Sequence, residues 1–162
     1  MDGNIIIRRF KEEDLTSLSQ LIINTISVSY REVFSPEAIE FFQDYHDQKN
    51  ILSDAAAGYT IIAELDGEIV GTGTLFGTNI RRVFISPYHQ HRGIGKLIAQ
   101  ELEKKALQKN ITPLDLSASL VSRPFWEKMG FTVCGEYFLP IDNGRKLHFY
   151  EMVKEYGMQP ER

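Results

Sequence analysis

The stretch Val83-Phe84-Ile85-Ser86-Pro87-Tyr88-His89-Gln90-His91-Arg92-Gly93-Ile94-Gly95-Lys96 governs how the rest of the chain is read. It opens on an apolar, β-prone run. Pro87 closes that run, and two glycines one residue apart lead directly into a helical pattern. The order is strand, turn, glycine-rich loop, helix. The first N–H groups of a helix have no partner inside it, and the peptide dipoles add partial positive charge at that end. Glycine lets a ligand reach the backbone and tolerates positive φ. The expected product is an anion cradle of the kind that takes phosphate. A ligand-free strand–helix turn satisfies so short a motif equally well, so the neighbouring residues matter.

From Ile69 to Gln100 there is no Asp or Glu, while Arg81, Arg82, Arg92 and Lys96 all fall inside that window. The chain as a whole carries a formal net charge of −4. A positive field set against the global balance is what an anionic ligand requires.

Working outward, Asn4 to Arg9 reads as a strand, with β-branched Ile5, Ile6 and Ile7. Asp14 is placed to cap a helix whose apolar residues Leu15, Leu18, Leu21, Ile22 and Ile26 recur at helical spacing and which ends near Ser29-Tyr30. Ser35-Pro36-Glu37 is a helix start, and the helix after it places Ile39, Phe42 and Tyr45 on one side. Asp47 to Gly58 reads as a polar loop with at most a short helical turn. Tyr59 to Leu65, Glu68 to Phe76 and Asn79 to Ile85 read as three strands, the first two joined by Asp66-Gly67. Gly71 and Gly73 point to a bulge or a close backbone approach.

Ile94, Ile98, Leu102 and Ala106 lie one turn apart on the next helix. Leu114 to Ala118 is a short strand, and Ser122 to Lys128 a short helix stopped by Gly130. Thr132 to Leu139 and Lys146 to Lys154 are strands joined around Asp142-Asn143-Gly144. The order β-α-α-β-β-β-α-β-α-β-β implies one α+β domain over residues 1–154, with a mixed, mostly antiparallel sheet flanked by helices and a polar tail over 155–162.

A chain of 162 residues fits one domain able to bury a core, and its hydrophobic fraction of 43% is ordinary for a soluble globule. No apolar run reaches the roughly 18 residues a membrane span needs, and Met1-Asp2-Gly3-Asn4 lacks a signal-peptide pattern. The single cysteine, Cys134, excludes an internal disulfide and reads as a small packed hydrophobe in an apolar strand. The expectation is a cytoplasmic protein without nucleic-acid or membrane partners. No metal-ligand spacing appears, so no metal is expected.

Two segments together resemble a known family. Gln90-x-x-Gly93-x-Gly95, after a strand and before a helix, resembles the acetyl-CoA signature of the GCN5-related N-acetyltransferases, the GNAT superfamily. Downstream, Ser117-Ala118-Ser119-Leu120-Val121-Ser122-Arg123-Pro124-Phe125-Trp126-Glu127-Lys128-Met129-Gly130-Phe131 resembles that family's later segment, a strand leading to an aromatic-rich helix that ends in Gly-Phe. The resemblance implies a single GNAT-like domain that uses acetyl-CoA as co-substrate. It implies that the backbone of His91, Arg92, Gly93, Ile94, Gly95 and Lys96, after Gln90, holds the CoA pyrophosphate. It further implies that Val83, Phe84 and Ile85 meet the pantetheine arm where their strand splays from the next, with Ser119, Ser122, Phe125 and Trp126 completing the cofactor side.

The chain departs from the family pattern where many members have asparagine (here Ser119), alanine (Ser122) and, most consequentially, the tyrosine that protonates the leaving thiolate (Trp126). An indole N–H donates a hydrogen bond but yields no proton near neutral pH. The residues offer several candidates for proton transfer: Tyr30 and Glu32 after the first helix, His148 and Tyr150 on the last strand. A Rossmann reading fails because Ile98 stands where its third glycine belongs, and Gly95-Lys96-Leu97 is not a P-loop. The reading is therefore an acetyl-CoA-dependent N-acyltransferase acting on a small-molecule or peptide amine by direct attack in a ternary complex. A homodimer is compatible with it, and its rival is a non-catalytic acyl-CoA-binding or regulatory module.

Overall fold

In the computed structural model, which describes residues 3–156, seven strands share one open sheet. They are β1 (Ile5–Arg9), β2 (Tyr59–Leu65), β3 (Glu68–Phe76), β4 (Asn79–Ile85), β5 (Leu114–Ala118), β6 (Thr132–Pro140) and β7 (Lys146–Lys154), in the order β1-β2-β3-β4-β5-β7-β6. Every neighbouring pair is antiparallel except β4 and β5. Short turns join the antiparallel neighbours β2 and β3. Asp66 and Gly67 both adopt positive φ, which suits the twist of a two-residue hairpin. The parallel pair needs a crossover, supplied by α4 (Ile94–Gln108).

Helices cover both faces. On one, α4 turns Ile94, Ile98, Leu102 and Ala106 onto Ile61, Ala63, Val70 and Ile80, together with Leu116, Trp126, Phe131, Tyr150 and Met152. Gly71 and Gly73 allow this approach, since a Cβ built on Gly73 would lie 2.6 Å from Ile98 Cγ2. The second face is covered by α1 (Leu15–Ser29), α2 (Pro36–Tyr45) and α3 (Gln48–Ala57), which bury Leu18, Ile22, Ile26, Ala38, Phe42 and Ile51 against Ile62, Phe84 and Leu147.

Two local expectations are corrected. Residues 48–57 form the full helix α3 rather than a loop. Asp47 caps it by accepting a hydrogen bond from Asn50 N at 2.8 Å, and Ile51 anchors it in the core. One buried isoleucine in a polar segment is a weak periodic signal, so tertiary burial decided the outcome. The second concerns Asp14, which precedes α1 without capping it through its side chain. Its carboxylate instead takes two 2.8 Å hydrogen bonds from the Arg8 guanidinium and one from Lys11 N. The strong Arg8 pairing holds the Asp14 carboxyl below the usual carboxylate range.

α5 (Arg123–Lys128) ends as expected. Gly130 has a φ of 94°, and Phe131 N closes back on Trp126 O at 3.0 Å. After β7, Tyr156 packs against the α4 side of the core. The rest of the expected tail, 157–162, lies outside the described residues. No helix among the described residues is long and apolar enough to cross a membrane.

Candidate active site

Among the described residues β4 and β5 register at one point, Asn79 opposite Asp115. Beyond it no further pairing joins the two strands, and a cavity lies between Val83 and Phe84 on one side and Ser117 and Ser119 on the other. Parted strands leave backbone donors and acceptors facing the opening, and buried groups of that kind call for a ligand. The cavity measures about 260 Å³ and reaches toward the α1–α2 side.

Past the C-terminal end of β4 lies the N-terminus of α4. The helices α2 and α3 are capped by Ser35 and Asp47 side chains, whereas α4 has no side-chain cap. Gly93 occupies its N-cap position with a φ of 81°, and nothing lies within 4 Å of where its Cβ would stand. The first turn is thus left without a side-chain cap, beside open space at Gly93. His91, Arg92 and Lys96 are exposed beside it, while the Ile94 side chain is buried in the core and offers only its backbone. Gly95 answers a different need: a Cβ there would lie 3.2 Å from Phe125 Cε1, so its smallness admits the α5 ring. Gln90 braces the loop, donating from Nε2 to Ile85 O at 3.1 Å and to Ser29 Oγ at 3.4 Å.

On the β5 side, Ser119 and Ser122 pair with each other. Ser119 N donates to Ser122 Oγ at 3.1 Å, and the two hydroxyls stand 3.3 Å apart. Both line the cavity. Trp126 reaches the cavity too, but most of its indole is core, edge-on to Phe125 at 4.8 Å and to Phe131 at 5.4 Å.

The structure separates the four candidates for proton transfer. Tyr30, at the end of α1, lines the cavity, and burial pushes its phenol up to about 12 against the opposing effect of the Ser119 hydroxyl. Glu32 is exposed in the turn that follows and does not line the cavity. His148 and Tyr150 belong to the other face of β7. The strand's two-residue period turns Leu147 and Phe149 toward α1 and α2, and Tyr150 toward α4 and α5. His148 pairs with Glu136 at 2.6 Å, and the Arg123 guanidinium lies 4.3 Å above the Tyr150 ring. From β7 it is Phe149 that enters the cavity.

The expected positive field also divides. Thr72 faces Phe84 and Thr74 faces Arg81, so Gly73 opposes two residues, Arg82 and Val83. This bulge holds Arg82 at a φ of 55° and brings two consecutive arginines to one face. Arg82 Nη1 reaches Asp54 Oδ2 at 2.8 Å and Arg81 Nη1 reaches it at 3.4 Å. Arg82 Nε donates to His46 Nδ1 at 3.0 Å. Burial, aided by the nearby Arg82 charge, lowers His46 to about 3, so it is neutral with its proton on Nε2. Only Arg92 and Lys96 remain near the glycine loop.

Sequence reading missed His46, Asp54, Tyr45 and Tyr137. The available signals were the Asp47-x-x-Asn50 cap, which announces a helix carrying Asp54, and the Gly73 bulge opposite Arg81-Arg82. Cys134 is exposed on the edge strand β6 rather than packed, with Sγ 3.4 Å from Glu151 O.

Comparison with known proteins bears on this geometry. Residues 30–155 match the family model described as an acetyltransferase (GNAT) domain. The chain is 24% identical over 152 residues to the uncharacterized N-acetyltransferase YafP of Escherichia coli K12, covering 94% of this chain and 97% of that protein. Among solved structures, a GCN5-related N-acetyltransferase from Rhodopseudomonas palustris superposes with a TM-score of 0.86 at 23% identity, over 96% of this chain and 98% of that one. PaiA N-acetyltransferase from Thermoplasma acidophilum, solved in complex with coenzyme A, gives 0.75 at 23% identity, over 94% and 99%.

Proposed function

This chain belongs to the acetyltransferase (GNAT) domain family, and on that premise we propose that it transfers the acetyl group of acetyl-CoA to a primary amine by direct attack in a ternary complex. The observation that carries the reading is the parting of β4 from β5 beside an uncapped helix N-terminus. The residues fit the co-substrate: open space in front of Gly93 suits a pyrophosphate, and the β4 edge suits a pantetheine arm with amides to satisfy. In this reading the backbone from His91 to Lys96 holds the phosphates. Val83, Phe84 and Ile85 meet the arm, and Ser119 and Ser122 close the other wall. The Ile85 carbonyl keeps one lone pair for Gln90 and has the second to offer.

Acetyl-CoA supplies the thioester, and the acceptor amine forms the new C–N bond. A backbone N–H near Phe84-Ile85 stabilises the developing oxyanion. Tyr30 stays protonated through neutral pH and is a hydrogen-bond donor for the departing sulfur, not a base. A CoA thiol near the ordinary thiol value of about 8.5 needs little more than that. His46 is excluded as a base, because Nδ1 is engaged by Arg82. The amine therefore loses its proton to solvent.

The test is thiol release from acetyl-CoA across a panel of primary amines, with both substrates varied. Intersecting initial-velocity lines, together with no acetyl adduct on Cys134 by intact mass, are expected. Parallel lines with a stable adduct would replace direct attack by a covalent route.

A further inference from the structure

The cavity walls constrain the acceptor. Among the described residues no carboxylate lines the cavity. The two cationic residues that do, Arg81 and Arg82, share Asp54, so the cluster keeps an excess positive charge while His46 is neutral. The remaining surface toward α2 and β6 is largely ring: Phe41, Phe42, Tyr45, Tyr137 and Phe149. Phe41 and Tyr45 stack with an interplanar angle of 15°, presenting flat surface. Edge contacts from Tyr45 and Phe84, both at 4.9 Å, fix the His46 ring. With Nδ1 taken by Arg82, its remaining polar group is Nε2–H, on a ring that lines the cavity.

We infer that the acceptor is an amine borne on a flat, apolar, non-cationic skeleton whose oxygen accepts a hydrogen bond from His46 Nε2–H. This rests on the amine-transfer reading above. A polyamine would bring further positive charges into a cavity that offers no anion and already holds an uncompensated arginine, and an unpaired charge is costly to desolvate. An aromatic skeleton covers the rings, and an oxygen on it satisfies the histidine, which a plain hydrocarbon leaves unpaired.

Steady-state kinetics at saturating acetyl-CoA tests this with phenethylamine, its three ring-methoxy isomers and spermidine. At least one methoxy isomer is expected to exceed phenethylamine about tenfold in kcat/KM, the worth of one well-placed hydrogen bond. It should exceed spermidine about a hundredfold, because the polyamine's extra charges go unpaired. His46→Asn keeps an acceptor for Arg82 while losing Nε2–H. It should erase the methoxy advantage and leave acetyl-CoA affinity, measured by calorimetry, unchanged. Should that variant fold poorly, Tyr45→Glu, at a half-exposed cavity position, adds the missing anion and should raise spermidine relative to phenethylamine about tenfold. Wild-type use of spermidine as efficient as that of any aromatic amine, or a methoxy advantage that survives His46→Asn, overturns the inference and leaves amine transfer standing. If acetyl-CoA binds and no amine is acetylated, amine transfer itself falls, and the inference with it.

Discussion

At the N-terminal end of β4, Arg81 and Arg82 turn onto Asp54 of α3, and the Arg82 side chain is only 3% exposed. Past the C-terminal end of the same strand, Arg92 and Lys96 stand exposed beside the glycine loop. Along the chain these four residues form one acid-free basic window. In space they do two jobs. The pair held by Asp54 fastens α3 to the sheet and lines the cavity, and the exposed pair stands beside the loop proposed to hold the cofactor. Absence of acids nearby in sequence therefore does not mean absence of counter-charge, because Asp54 arrives from an element outside the window.

The sharpest way to break this contrast is Asp54→Ala. Removing the carboxylate that pairs with the buried Arg82 guanidinium should cost about 3–5 kcal/mol of stability in denaturant unfolding, with CoA affinity retained in the variant that remains folded. A loss of CoA affinity without loss of stability would mean that the two ends of β4 act as one site.

Next in size is Gly93→Val, expected to weaken CoA binding about a hundredfold by calorimetric titration, roughly 3 kcal/mol. The space before Gly93 is open, so the loss would be of ligand room, together with some backbone strain at positive φ. Gly95→Val should behave differently and lower the melting temperature, because its side chain meets Phe125. Equal behaviour of the two variants in both measurements would undo the division of labour between them.

The His46 end of the cavity should also be visible in the pH dependence of stability. His46 sits near 3 when folded and near its ordinary 6.5 when unfolded. Between those values the unfolded chain binds the extra proton. Stability is therefore fully present above about 6.5 and is lost as pH falls toward 3. His46→Asn should flatten that acid limb in thermal melts from pH 7 to 4; an unchanged limb would show that another group governs it.

Arg92→Ala probes the exposed pair and should lower CoA affinity a few-fold at low salt and hardly at all at high salt, since an exposed charge is screened. Smallest of all is the effect on turnover of Trp126→Phe, expected to stay within about twofold while stability drops by about 1–3 kcal/mol, because the indole fills core space. Trp126→Tyr should likewise leave turnover within about twofold, because Tyr30 already supplies the donor; a large gain would show that the position of Trp126 is the place for one.

Much of the fold was legible because its signals are local. The Asp66-Gly67 hairpin, the Ser35 cap, the Gly130 stop and the one-turn spacing of Ile94, Ile98, Leu102 and Ala106 each report a backbone conformation that neighbouring residues determine. The strand–loop–helix at Gly93 belongs to the same class, and so the uncapped start of α4 could be read. Helix α3 escaped notice because a single isoleucine carries its burial. The β7 candidates His148 and Tyr150 were assigned to a face without knowing the strand's phase, and in a two-residue period a one-residue error reverses the side.

By itself, then, the amino-acid sequence determined every strand, every helix but α3, and the glycine-led start of α4, all of which depend on residues a few positions apart. Only the tertiary structure decided the cavity wall. Tyr30, His46, Arg82, Tyr137 and Phe149 come from α1, the end of α2, β4, β6 and β7, and no local pattern links them. A β-bulge opposite Gly73 and the parting of β4 from β5 bring them together, and both depend on how the strands pair across the sheet rather than on any one segment.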